Sequence, residues 1–200
     1  MKKSDIINIT KEYNLAPSKR FGQNFLIDEN VCKKIIDSAK ISQDDYILEI
    51  GPGLGSLTRY LVKLSQSVTV VEIDAGFVKY LQNEYLDYEN FNLIHEDFLK
   101  LHPPEKINKI ISNLPYYCAS EILFRIASDY SVDEVYIMLQ KEMATRLIAL
   151  PGTKNYGALT VTLNFYFDTE LLFDIGKNCF YPAPEVKSSF LKLTRKNVFC

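Results

Sequence analysis

From residue 46 to about 150 the chain alternates short β-branched runs with amphipathic stretches, and this alternation constrains its fold more than any other feature. Tyr46 to Ile50, Ser67 to Ile73, Phe91 to His95, Ile107 to Ser112 and Val132 to Leu139 read as strands. Between them Leu57, Leu61 and Leu64 recur at helical spacing, as do Phe77, Leu81 and Tyr85, and Ile122, Ile126 and Tyr130. Strands linked through helices run parallel, and a parallel sheet needs both faces covered. The expectation is therefore a mostly parallel sheet between two helical layers. Two later segments, Thr160 to Phe167 and Ser188 to Leu193, have no helix between them and are expected to pair as an antiparallel hairpin. Asp168 to Pro184 would then be an unusually long connection, and loops of that length are more often functional than idle.

Two hundred residues, 47% hydrophobic, suffice for one domain with a substantial core. No run approaches the roughly 18 apolar residues of a membrane span, and the N-terminus is polar rather than a signal peptide, so no membrane and a cytoplasmic location are expected. Cys32, Cys118, Cys179 and Cys200 are scattered without a C-x-x-C pair, and His95 and His102 lack metal-ligand spacing with them. Structural thiols are expected, with neither a metal nor a disulfide framework. The net charge of -2 is uneven: residues 1–34 carry +3, residues 177–200 carry +4, and the stretch between them -9. Two basic ends around an acidic body are either an ordinary solvated surface or a rim facing phosphates.

In such a sheet ligands gather at the carboxyl ends of the strands, and the punctuation of this chain falls there. Glu49-Ile50-Gly51-Pro52-Gly53-Leu54-Gly55 follows the first strand, and its glycines let a backbone approach a ligand where a Cβ would collide. The spacing is neither the dinucleotide G-x-G-x-x-G nor a triphosphate loop, and a bare glycine turn for helix packing is the plain alternative. Glu72, about 20 residues on, closes the second strand, where a carboxylate can accept ribose hydroxyls. Asp97 follows the third strand and can accept from an adenine amine, although an acid there can equally cap a helix. Three such groups on successive strand ends describe an adenosine site. With no place marked for a second nucleotide, they point to S-adenosylmethionine rather than a dinucleotide.

Where the run Ile107 to Ser112 stops, Asn113-Leu114-Pro115-Tyr116 places a side-chain amide, a backbone carbonyl and an aromatic ring within one turn. Amide and carbonyl oxygens can accept the hydrogens of a planar nucleobase amine while the ring stacks on the base. Such an Asn and proline also close ordinary strand-ending turns.

Taken together, Gly22-Gln23-Asn24-Phe25-Leu26-Ile27-Asp28, Glu49 to Gly55, Val71-Glu72-Ile73-Asp74, Glu96-Asp97-Phe98, Asn113 to Tyr116, Gln140-Lys141-Glu142 and Phe180-Tyr181-Pro182-Ala183-Pro184-Glu185-Val186 resemble the ribosomal RNA adenine dimethyltransferases. The match runs in order and at the family's spacing from residue 19 to about 195. It implies a Rossmann-like class I S-adenosylmethionine-dependent methyltransferase, with a seven-stranded mostly parallel sheet and a C-terminal antiparallel hairpin. Residue by residue, it implies that Asn24 and Leu26 close over the cofactor and that Gly51, Glu72 and Asp97 bind it. Asn113 would touch cofactor and target alike, with Pro115 beside it, and the target adenine would lie between Tyr116 and Phe180. It further implies a monomer acting by N6,N6-dimethylation on adjacent adenosines of small-subunit ribosomal RNA, within one catalytic domain whose segment 1–45 closes the cofactor site. Members of the family usually continue into a small helical RNA-binding domain, which is expected to be absent here, with weaker ribosome recognition. Pro52 and the complete Gly22 to Leu26 segment favour this over a large-subunit methyltransferase of the macrolide-resistance type. Retention of every motif residue disfavours a non-catalytic nucleic-acid-binding relative.

Methyl transfer from a sulfonium puts positive charge on the adenine nitrogen, and two fixed carbonyl oxygens at Asn113 and Pro115 would stabilise it. No general base is needed before attack, and neither histidine is near the motif. An adenine amine is reachable only in an unstacked base, which favours a loop or single strand of RNA.

Overall fold

The computed structural model describes residues 3–13, 15 and 24–196. Seven helices and nine strands occur among these residues: α1 (Lys3–Glu12), β1 (Phe25–Leu26), α2 (Glu29–Ala39), β2 (Tyr46–Ile50), α3 (Thr58–Leu64), β3 (Ser67–Glu72), α4 (Ala75–Glu84), β4 (Phe91–His95), β5 (Lys109–Asn113), α5 (Ala119–Asp129), β6 (Glu134–Gln140), α6 (Lys141–Leu147), α7 (Ala158–Tyr166), β7 (Phe167–Ile175), β8 (Phe180–Tyr181) and β9 (Ser188–Arg195). The main sheet has the order β4-β3-β2-β5-β6-β9-β7. Its first five strands are parallel, and β9 runs antiparallel to both β6 and β7. This is the mostly parallel seven-stranded sheet with a terminal antiparallel hairpin that the sequence implied.

The strands bury both faces because successive side chains point to opposite sides. Ile47, Val68, Val70, Ile111, Met138 and Phe190 join a core with α2, α3 and α4. Leu48, Val71, Ile110, Ile137 and Leu191 join a second core with α5, α6 and α7. The entries of α2 and α4 are fixed by side chains. Asp28 accepts from the Asn30 and Val31 N–H groups at the start of α2, and Asp74 from those of Gly76 and Phe77 at the start of α4. Helix α1 adds to the first core through Ile6, with Tyr13 edge-on to Tyr80 at 5.4 Å.

The segment 160–167 differs from expectation. Residues 160–166 belong to helix α7, and the strand that pairs with β9 is β7, which begins at Phe167 and runs through the stretch expected to be a loop. Thr160, Val161 and Thr162 suggest a strand by their branching, but Leu159 and Leu163 are four residues apart and both buried in the second core. The Thr160 hydroxyl also donates to the Arg146 carbonyl at 2.7 Å and accepts the Gly157 N–H at 3.3 Å, which fixes the first turn. The remaining connection, 176–187, is partly structured by the 3-10 turn Lys177–Cys179 and by β8, which pairs antiparallel with β1.

Candidate active site

A cleft opens at the carboxyl ends of the parallel strands. It lies where β2 and β5 are neighbours and the chain turns from building one half of the sheet to the other, the place where open α/β sheets bind ligands. Asn24, Leu26, Gly51, Glu72, Asp97, Asn113, Pro115 and Tyr116 all line it, so the structure gathers all but one of the expected site residues. Gly22 and Gln23 of the N-terminal motif lie outside the described residues.

Glycine is required in the first turn for reasons the backbone shows. Gly51 and Gly53 have φ of +62° and +56°, a region other residues rarely adopt, and a Cβ on Gly53 would press on the Phe25 ring at 3.3 Å. The turn is held by Glu72, whose Oε2 accepts the Gly53 N–H at 3.2 Å while Oε1 accepts those of Ile73 and Asp74 at 2.9 and 3.0 Å. With about two acceptor positions per oxygen, Oε1 is filled and Oε2 keeps one. Burial raises the Glu72 carboxyl above its ordinary value, opposed by those backbone N–H groups. Asp97 caps a turn rather than a helix and also lines the cleft. Its Oδ1 accepts the Leu99 N–H at 2.9 Å in a local turn, and the residue faces the cleft. Beside it the exposed side chains of Ile73 and Leu99 form an apolar edge.

At the end of β5 the Asn113 amide donates to the Asn24 carbonyl at 3.3 Å, tying the N-terminal segment to the motif. Its Oδ1 is buried and has no hydrogen-bond partner among the described residues. The Pro115 carbonyl receives only long bonds, both from Cys118, the N–H at 3.4 Å and the thiol Sγ at 4.0 Å, and so is weakly satisfied. The Tyr116 hydroxyl is 2.8 Å from Ser188 Oγ, and burial raises its pKa.

Phe180 is the exception. It does not line the cleft. Its side chain is 3% exposed and packs in the first core, with its backbone opposite Leu26 in the β1–β8 pair. The reason is strand alternation: in a two-residue strand one side chain must turn inward, and the apolar Phe180 does so while Tyr181 stays half-buried. The basic rim is also reduced. Lys192 pairs with Glu134, Lys196 with Asp168, and Arg195 turns onto the carbonyls of Ile126, Ala127, Tyr130 and Val132. Lys177 and Lys187 remain exposed, whereas Lys19 and Arg20 lie outside the described residues.

Sequence reasoning assigned no role to Glu49, Tyr117 or Ser188. Glu49 lines the cleft at 2% exposure, with Oε2 accepting the Thr58 hydroxyl at 2.6 Å. Burial pushes its carboxyl up to about 8, the Thr58 bond opposing and the nearby Glu72 reinforcing. An acid inside the apolar run Tyr46 to Ile50 was the available signal. Tyr117 stands 52% exposed at the cleft mouth, marked only as a second ring after the motif. Ser188 had no sequence signal, because its partner is 72 residues away. Cys32, Cys118 and Cys179 are free thiols, and no metal-binding cluster occurs among the described residues.

Comparison with known proteins places this geometry. A family model for ribosomal RNA adenine dimethylases matches residues 15–199. The chain is 39% identical over 201 residues to the Ribosomal RNA small subunit methyltransferase A of Clostridium acetobutylicum, covering 98% of this chain and 73% of that protein. It is 42% identical to the protein of the same name from Malacoplasma penetrans, covering 96% and 71%. Among solved structures, a dimethyladenosine transferase from Plasmodium falciparum superposes with a TM-score of 0.80 at 31% identity, over 86% of this chain and 63% of that one. The 23S rRNA methyltransferase ErmE superposes with a TM-score of 0.76 at 29% identity, over 87% and 70%.

Proposed function

This chain belongs to the ribosomal RNA adenine dimethylase family, and from that premise we propose that it transfers methyl groups from S-adenosylmethionine to the exocyclic amine of adenosines in small-subunit ribosomal RNA. One observation carries the reading: the buried Asn113 Oδ1, in a cleft at the strand ends, without a donor. An unpaired buried acceptor costs about 1–3 kcal/mol, a cost removed when an amine hydrogen arrives.

The cleft fits the cofactor by its own chemistry. The free position on Glu72 Oε2 suits a ribose hydroxyl, Asp97 beside Ile73 and Leu99 suits an adenine with its amine, and the bare backbone of Gly51 to Gly53 suits a close approach. Asn24 and Leu26 supply the wall from the N-terminal side. When bound, S-adenosylmethionine supplies an electrophilic methyl group. Asn113 and Pro115 hold the target amine with two oxygens, and those oxygens stabilise positive charge as it develops on nitrogen. Tyr116 offers its ring to one face of the base. The surplus proton leaves to water, since no ring nitrogen of His95 or His102 lines the cleft. Dimethylation requires the pocket to accept a first methyl group.

The test is Asn113→Ala under single-turnover conditions with immature small subunits. Cofactor affinity should fall only modestly, through loss of the Asn24 contact, while the methylation rate falls by roughly 10²–10³, about 3 kcal/mol of barrier. A variant methylating at near wild-type rate would sink the mechanism.

A further inference from the structure

Tyr116 lies on a loop, outside any helix or strand, yet a ring that must meet a base face-on needs a fixed plane. Its hydroxyl meets Ser188 Oγ at 2.8 Å. Ser188 is the first residue of β9 and is fully buried, opposite Gln140 of β6 on one side and Ile175 of β7 on the other. The strand start is secured further. Lys141 N–H donates to the Lys187 carbonyl at 2.9 Å, Ser189 Oγ to Asp174 at 2.7 Å, and Lys141 pairs with the same Asp174 at 2.5 Å. Ser188 is thus among the most constrained points near the cleft, and its hydroxyl is aimed at the one aromatic ring of the Asn113 to Tyr116 turn. Packing alone does not explain a hydroxyl at this site. A buried Ser without a partner would cost free energy, and alanine would fill the same position with none to satisfy.

We infer that Ser188 is a positioning residue for methyl transfer: through its hydroxyl it fixes the plane of the Tyr116 ring against which the target adenine lies. The two residues are 72 apart in sequence, and the bond ties the turn after β5 to the hairpin strand β9. The inference rests on the adenine-methylating reading of the cleft.

The experiment is a double-mutant cycle of Ser188→Ala and Tyr116→Phe. Single-turnover methylation of immature small subunits and S-adenosylmethionine affinity are measured for all four proteins. Each single variant should lose about tenfold in rate, the net worth of one hydrogen bond, with cofactor affinity unchanged. The double variant should also lose about tenfold rather than about a hundredfold, because both changes remove the same bond. A Ser188 that merely supported the strand would lower the rate as much in the Tyr116→Phe background as alone, and that multiplicative result would overturn the inference. So would a Ser188→Ala protein with wild-type turnover. Methyl transfer by the unaltered protein separates the two failures. If it is absent, the methylating reading falls and takes this inference with it; if it is present, an unchanged Ser188→Ala rate removes this inference alone.

Discussion

Two side chains at the strand ends carry opposite kinds of tension. Asn113 holds a buried acceptor without a donor, and Glu49 holds a buried carboxyl whose charge nothing neutralises. The groups around Glu49 are the Thr58 hydroxyl, the Glu72 carboxyl and the Tyr85 phenol, none of them cationic. Its proton therefore stays on until about pH 8, against an ordinary carboxyl near 4.5. Between those values the folded chain holds a proton that the unfolded chain has released, so this group's stabilising contribution is complete below about 4.5, declines as pH rises through the window and is gone above about 8. Glu49→Gln keeps the shape and cannot ionise. Urea unfolding from pH 5 to 8.5 should show a shallower loss of stability for Glu49→Gln than for the unaltered chain, and parallel slopes would remove Glu49 from this role. The positions of Glu72, Asp97 and Asn113 were legible at this scale, because each ends or closely follows a strand that its β-branched run marks. Phe180 was not. Whether a ring faces a cleft or a core depends on which strand pairs with its own, and β1 supplies that through Leu26, 154 residues away by sequence.

At the scale of elements, the parallel strands and the helices between them were readable because β-branched runs and helical spacing agreed at each step. Helix α7 was not, because its branching and its burial period disagree. Tertiary burial of Leu159 and Leu163 beneath the Val161 and Phe165 surface decides the matter. Leu163 is fully buried in the second core, so Leu163→Ala should lower stability by about 2–5 kcal/mol, read as an earlier urea midpoint. It does not line the cleft, so the folded variant should bind S-adenosylmethionine as the unaltered chain does. A midpoint shift under about 1 kcal/mol would mean that α7 is not anchored by this residue. The same logic explains Arg195: its charge read as part of a basic rim, but the carbonyls at the end of α5 draw it inward.

In the whole molecule, strand order brings distant segments to one opening. Gly51 from β2, Glu72 from β3, Asp97 from β4 and Asn113 from β5 share the cleft because four parallel strands end on the same side. Asn24 reaches it from the N-terminal segment, and Ser188 supports it from the last strand. The place of Asn24 was expected from the Gly22 to Asp28 segment, whereas the support from Ser188 could not be read from sequence, since it is a single long-range hydrogen bond without a local pattern. The proposed amine-holding turn would need an unstacked base, so an RNA loop should serve where a regular duplex does not. The most direct measurement incubates the protein with labelled S-adenosylmethionine and, separately, immature small and large ribosomal subunits, then maps methylated adenines in the RNA. The expected result is label on the N6 position of small-subunit adenosines, abolished in Asn113→Ala. Label confined to large-subunit RNA, or none from a protein that binds the cofactor, would contradict it.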